Sequence, residues 1–131
     1  MKLEKQACSL ELAKKLDKLD IDRDGYAGFY WCEWASNEPT LEFVKGRNDF
    51  VFHTGGCLER YIAFTSSELG EMIPGNFSGC YTKMQKGFMG NRWYCTLETM
   101  DKHEFKKQFE AKTEADARAK MLIYLIENDL L

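Results

Sequence analysis

The chain has 131 residues, 44% hydrophobic and 14% aromatic, with a formal net charge of −3. That length and composition suit one compact domain with its own core and exclude a disordered chain. The modest negative charge excludes bulk attraction of the whole molecule to nucleic acid or to anionic membranes.

The start, Met1-Lys2-Leu3-Glu4-Lys5, has no apolar stretch behind it and so reads as no secretory signal. The longest apolar run, Met121–Ile126, is far short of the roughly 20 residues that span a bilayer. These features predict a soluble, cytoplasmic protein with no membrane partner. Cys8, Cys32, Cys57, Cys80 and Cys95 are widely spaced and odd in number, and read as reduced thiols packed as small hydrophobes.

Ser9 caps a predicted first helix in which Leu12, Leu16 and Leu19 recur at helical spacing, with Lys14, Lys15, Asp17 and Lys18 on the other side. Asp20-Ile21-Asp22-Arg23-Asp24-Gly25 then matches the opening half of a calcium-binding loop, with carboxylates at alternate positions and a glycine at the sharp turn. The twelfth position, which needs a bidentate glutamate, is Trp31, and Glu33 falls two residues too late. The run therefore reads as a turn. Any calcium held by Asp20, Asp22 and Asp24 would bind at millimolar affinity or weaker, and no metal or cofactor is assigned.

Tyr26–Ala35 is dense in aromatics and predicts a strand covered on both faces, Phe29 and Trp31 on one and Tyr30, Cys32 and Trp34 on the other. Left exposed, its rings would instead mark a groove for a partner protein. Thr40–Val44, Phe50–His53 and Arg60–Phe64 predict three short strands. Thr65-Ser66-Ser67-Glu68 has the form of a capping box, opening a short helix that Pro74-Gly75 stops. Cys80–Lys86, Arg92–Thr99 and His103–Ala111 predict three more strands, although Phe105 and Phe109 also suit a helix. Thr113–Asp116 opens a last helix that is apolar on every side over Met121–Ile126, hence buried across the sheet. The expected fold is a single α+β domain: an antiparallel sheet of about five to six strands, packed by the buried C-terminal helix, with an N-terminal amphipathic helix and a short middle one.

Two constellations carry chemistry. His53 and Cys57 flank a Gly55-Gly56 turn and offer an imidazole and a thiol, but no CxxC accompanies them, so a glycine hairpin is the stronger reading. Tyr81 to Lys112 interleaves cations with aromatics, the pattern by which sheet surfaces hold single strands. On that reading Lys83, Lys86, Arg92 and Lys107 contact phosphate, while Tyr81 and Tyr94 stack on bases. The competing reading, solvated lysines with aromatics turned to the core, is the stronger, because Glu98, Asp101, Glu104 and Glu110 dilute the charge.

Four strings together resemble a group of small phage- and prophage-associated bacterial proteins of unassigned function. They are Ala7–Leu16, Phe29-Tyr30-Trp31, the stretch from Ala63-Phe64-Thr65 through Glu68–Pro74, and Glu114–Glu127. The likeness covers most of the chain and thins over Asp20–Gly25 and Gly75–Lys112. It implies an accessory protein of a mobile element and carries over no catalytic residue. The expectation is a non-catalytic binding or interaction module whose partner is a protein or a nucleic acid. A homo-oligomer is compatible with the sequence, and no acid, base and nucleophile converge to make an enzyme.

Overall fold

Each predicted helix begins at the side chain the sequence nominates for it. In the computed structural model, which describes residues 6–21, 28–35, 38–44, 57–88 and 90–131, helix α1 spans Leu10–Lys18 and the Ser9 hydroxyl accepts from the Leu12 N–H. Helix α2 spans Ser66–Met72 behind a complete capping box. Thr65 Oγ1 accepts from the Glu68 N–H and the Glu68 carboxylate from the Thr65 N–H, at 3.3 and 2.9 Å. Helix α3 spans Glu114–Glu127, with Thr113 Oγ1 accepting from the Asp116 N–H at 3.1 Å.

The two longer helices end alike. After α1 the Asp20 N–H donates to Asp17 O and the Ile21 N–H to Leu16 O; after α3 the Asp129 and Leu130 N–H groups repeat this toward Ile126 O and Leu125 O. Asp20 (φ 60°) and Asp129 (φ 54°) hold the left-handed position that glycine usually fills, which short polar side chains tolerate. Asp20 is thus the turn residue expected of it, whereas Asp22, Asp24 and Gly25 lie outside the described residues.

Among the described residues six strands occur, five of them close to their predicted positions, while the third begins at Cys57 and ends at Ile62 where Arg60–Phe64 was expected. They are β1 Gly28–Trp34, β2 Thr40–Val44, β3 Cys57–Ile62, β4 Cys80–Lys86, β5 Trp93–Thr99 and β6 Phe105–Ala111; Phe105 and Phe109 are therefore on a strand. The expected Phe50–His53 strand falls outside the described residues. The strands form two three-stranded antiparallel sheets, ordered β2-β1-β3 and β4-β5-β6, where one sheet of five to six strands was expected. The backbone beyond β3 explains the split. Ala63 donates to Phe29 O, the Phe64 carbonyl accepts from the Cys8 N–H, and Thr65 bridges Ala7, so the chain turns into α2 instead of a further ladder. The next strand arrives only after Pro74, and it pairs with β5.

Helix α3 packs against β5, β6, α2 and α1, and α1 also meets β3. Its buried residues are Ala115, Ala117, Ala119, Met121, Leu122, Ile123 and Leu125, which accords with a helix covered on nearly all sides. One hydrophobic cluster joins them to Leu12 and Leu16 of α1, Tyr30 and Cys32 of β1, Phe64, Leu69, and Cys95 and Leu97 of β5. Among the described residues no helix is long and apolar enough to cross a membrane.

Candidate functional site

Strand periodicity divides the Tyr81–Lys112 stretch. Residues directly opposite across a ladder share a face. The pairings Tyr81–Glu98, Lys83–Thr96 and Gln85–Tyr94, continued to Gln108 and Glu110 on β6, build the outer face of the second sheet. The pairings Met84–Cys95–Phe109 and Lys86–Trp93–Ala111 build the face turned to the core.

The six residues nominated for nucleic acid accordingly fall in three places. Tyr81, Lys83 and Tyr94 share the outer face. Lys107 has the opposite parity, and its ammonium lies 5.4 Å from the Phe109 ring centroid and 5.6 Å from that of Tyr124. Lys86 and Arg92 sit at one end of the sheet, where β4 turns into β5. A single surface carrying all six does not form.

On the outer face the cation is already used. Lys83 Nζ lies 3.0 Å from Glu98 Oε2, and the Tyr81 hydroxyl lies 3.2 Å from the same oxygen and 3.0 Å from His103 Nδ1. Thr96 accepts from Gln108 Nε2 at 3.0 Å. Glu98 is only 9% exposed because it stands on the central strand between two ladders. The hydrogen bond from Lys83 is the largest cause holding its carboxyl below the ordinary range, and in return Glu98 raises the Lys83 ammonium. Burial, then the bond to Glu98, pushes the Tyr81 phenol up.

The sign of the resulting pH dependence follows. An unfolded glutamate binds its proton near pH 4.3, and folded Glu98 binds it lower. Its stabilisation is therefore complete above that pH and is lost as pH falls through the lowered value. On the alkaline side the Lys83 contribution persists until pH rises through its own raised value. Glu98→Gln should flatten the acid limb of the stability curve between about pH 6 and pH 3. Urea midpoints measured across that range test this, and equal slopes in the two proteins would reject it.

The other group of cations lies open. Lys86 ends β4, Arg92 immediately precedes β5 and Lys112 immediately follows β6, so antiparallel pairing brings all three to the same end of the sheet. They line a groove of about 970 Å³ together with Ser66 and Ser67 at the start of α2. Glu114, the carboxylate in that lining, is engaged by Arg118 at 3.0 Å. Among the described residues no carboxylate pairs with Lys86, Arg92 or Lys112; Lys86 Nζ instead stands 5.7 Å from the Trp93 ring centroid. All three are exposed.

The hairpin that carries two of these cations is closed by glycine. The Gly87 N–H donates to Arg92 O at 2.7 Å, and a Cβ at Gly87 would come within 3.2 Å of that carbonyl. A side chain at Gly87 would need the Tyr94 ring and the Arg92 carbonyl to give by a few tenths of an ångström.

The cysteines behave as small hydrophobes. Cys8, Cys32 and Cys95 are buried, and with Cys80 they are free thiols. Burial pushes Cys8 up to about 12 and Cys95 to about 11, so both stay protonated and inert near neutral pH. His53 and the Cys57 side chain lie outside the described residues, and among the described ones no group of three metal-ligating side chains occurs.

Sequence reasoning picked out Lys86 and Arg92 together with Lys83 and Lys107, which the strand register sets on other faces, and it named Glu98 and Lys112 in this stretch without nominating them for the site. The signal for Lys112 was its place just past a strand end, opposite in direction to the Lys86–Arg92 hairpin. Comparison of this chain with protein-family models, curated proteins and solved structures gives no match.

Proposed function

We propose that this chain is a non-catalytic binding module that takes an anionic, phosphate-bearing ligand into the groove at the end of the second sheet. One observation carries the reading: Lys86, Arg92 and Lys112 converge there without carboxylate partners among the described residues, in a molecule whose net charge is −3. Surplus positive charge in a concave site of an acidic protein concentrates the field where a ligand would lie. The hydroxyls of Ser66 and Ser67, in the same lining, can donate to anionic oxygens. A phage- or prophage-type accessory role and a cytoplasmic location belong to the same proposal and rest on the four sequence strings and the sequence pattern.

Inorganic polyphosphate, titrated into the protein by calorimetry at low ionic strength, is the direct test. Wild type should bind it, more weakly as salt rises. Replacing Lys86, Arg92 or Lys112 with alanine should weaken binding about ten-fold each. Since all three side chains are exposed, the melting temperature should hardly move. Absence of wild-type binding at low salt would end the proposal.

A further inference from the structure

We infer that the ligand of the groove is a single-stranded nucleic acid, its phosphates held by Lys86, Arg92 and Lys112 and one base stacked on Phe88. The inference rests on the reading of the groove as an anion site and adds the ligand class to it.

Phe88 is 102% exposed. One exposed apolar side chain is ordinary on a protein surface; the position of this one is not. The Gly90 N–H donates to Gly87 O at 2.9 Å, closing the turn that carries Phe88, and the legs of that turn bear Lys86 and Arg92. Among the described residues nothing stacks on the Phe88 ring. Several other rings of the second sheet are engaged: Trp93 lies beneath Lys86, Phe109 and Tyr124 meet Lys107, and Tyr81 meets the His103 ring edge-on. The hairpin thus brings together an unused ring and unpaired cations.

A single strand repeats those two features at every nucleotide, an anion on the backbone and a planar face beside it. A duplex buries the planar faces and offers only the anion. An anionic lipid surface would also satisfy a cation and an apolar tip. It is flat, however, and the cations here line a groove, which a thin strand can enter and a membrane plane cannot. The acidic remainder of the molecule would repel an extended anionic plane more than a strand lying in the groove.

Fluorescence anisotropy with a labelled oligothymidylate of about 12 nucleotides tests the assignment. Phe88→Ala should weaken oligonucleotide binding about ten-fold or more, while leaving polyphosphate binding and the melting temperature unchanged. Replacing all three cations with alanine should make the slope of log affinity against log salt shallower by about 2. An unaltered oligonucleotide affinity in Phe88→Ala overturns the inference, as does equal binding of a duplex, or binding to phosphatidylserine vesicles but not to the oligonucleotide. If polyphosphate binds while Phe88→Ala changes nothing, this inference alone falls. If neither polyphosphate nor the oligonucleotide binds at low salt, the reading of the groove falls and takes this one with it.

Discussion

Phe64→Ala should cost about 3–5 kcal/mol of folding stability, the range for emptying an aromatic core site. Phe64 has no exposed surface. It lies where β3 gives way to α2, in the same cluster as Leu69, Leu97 and the buried face of α3. Its carbonyl accepts the Cys8 N–H at 2.9 Å, so the backbone on either side is held and the space left by the ring cannot easily collapse. A poorly relaxing cavity adds its own cost to the lost transfer energy. In urea the midpoint should fall by on the order of 2 M with an unchanged slope. Phe64→Leu keeps most of the apolar volume and should retain much of the stability, which supplies a measurable variant if the alanine protein does not fold. A loss below about 1 kcal/mol for alanine would mean that the ring is not a core element. The fully exposed Phe88 is the internal contrast, since its removal should leave stability nearly unchanged.

The local parts of this fold were legible because their causes are local. Ser9, Thr65 and Thr113 announce helix starts through an oxygen placed to accept an N–H three residues on. Asp20 read as a turn, and the bonds from Asp20 and Ile21 back into α1 show what that turn does. Strand partners were another matter. Whether six strands make one sheet or two depends on where the chain goes after Ile62, and that is decided by bonds from Ala63 to Phe29 and from Cys8 to Phe64. Neither contact is visible in the composition of β3 or β4.

The site shows the same division. Alternation along β4 alone separates Lys83 from Lys86, which stand three residues apart and so on opposite faces. The parity of Lys107 reads the same way, since it stands two residues from Phe109 and shares its face; the register shift between Leu97 and Glu98 displaces only the pairing beyond it, at Phe105. Counting cations and aromatics along a sequence discards this parity, which is why the nominated surface divides into a paired outer face, a capped edge and an open groove. Lys112 enters the groove only through the meander that returns β6 alongside β5.

Asp116→Ala should destabilise the protein by about 1–3 kcal/mol, because it breaks a charge-assisted hydrogen bond between the starts of two helices. Asp116 occupies the first turn of α3, where a capping box would send its carboxylate back to the Thr113 N–H. Instead, Oδ1 accepts the N–H of Ser9, the cap of α1, at 2.7 Å across 107 positions of sequence. Alanine would leave that partly buried N–H without its acceptor and remove a negative charge from the positive end of α3. Burial is the largest influence on the carboxyl and raises its pKa, with the Ser9 N–H opposing. A folded value above the unfolded one near 3.9 makes its contribution greatest below that pH, and the contribution is lost as pH rises through the raised value. This is the reverse of Glu98. Asp116→Asn retains an oxygen for Ser9 without the buried charge, so near neutral pH it should cost well under half of the alanine loss. Wild type should then gain on the asparagine variant as the pH falls through the raised value. Paired urea titrations of wild type, Asn and Ala across that range decide the matter. Equal losses for Asn and Ala would show that the charge, and not the bond to Ser9, joins the two helices.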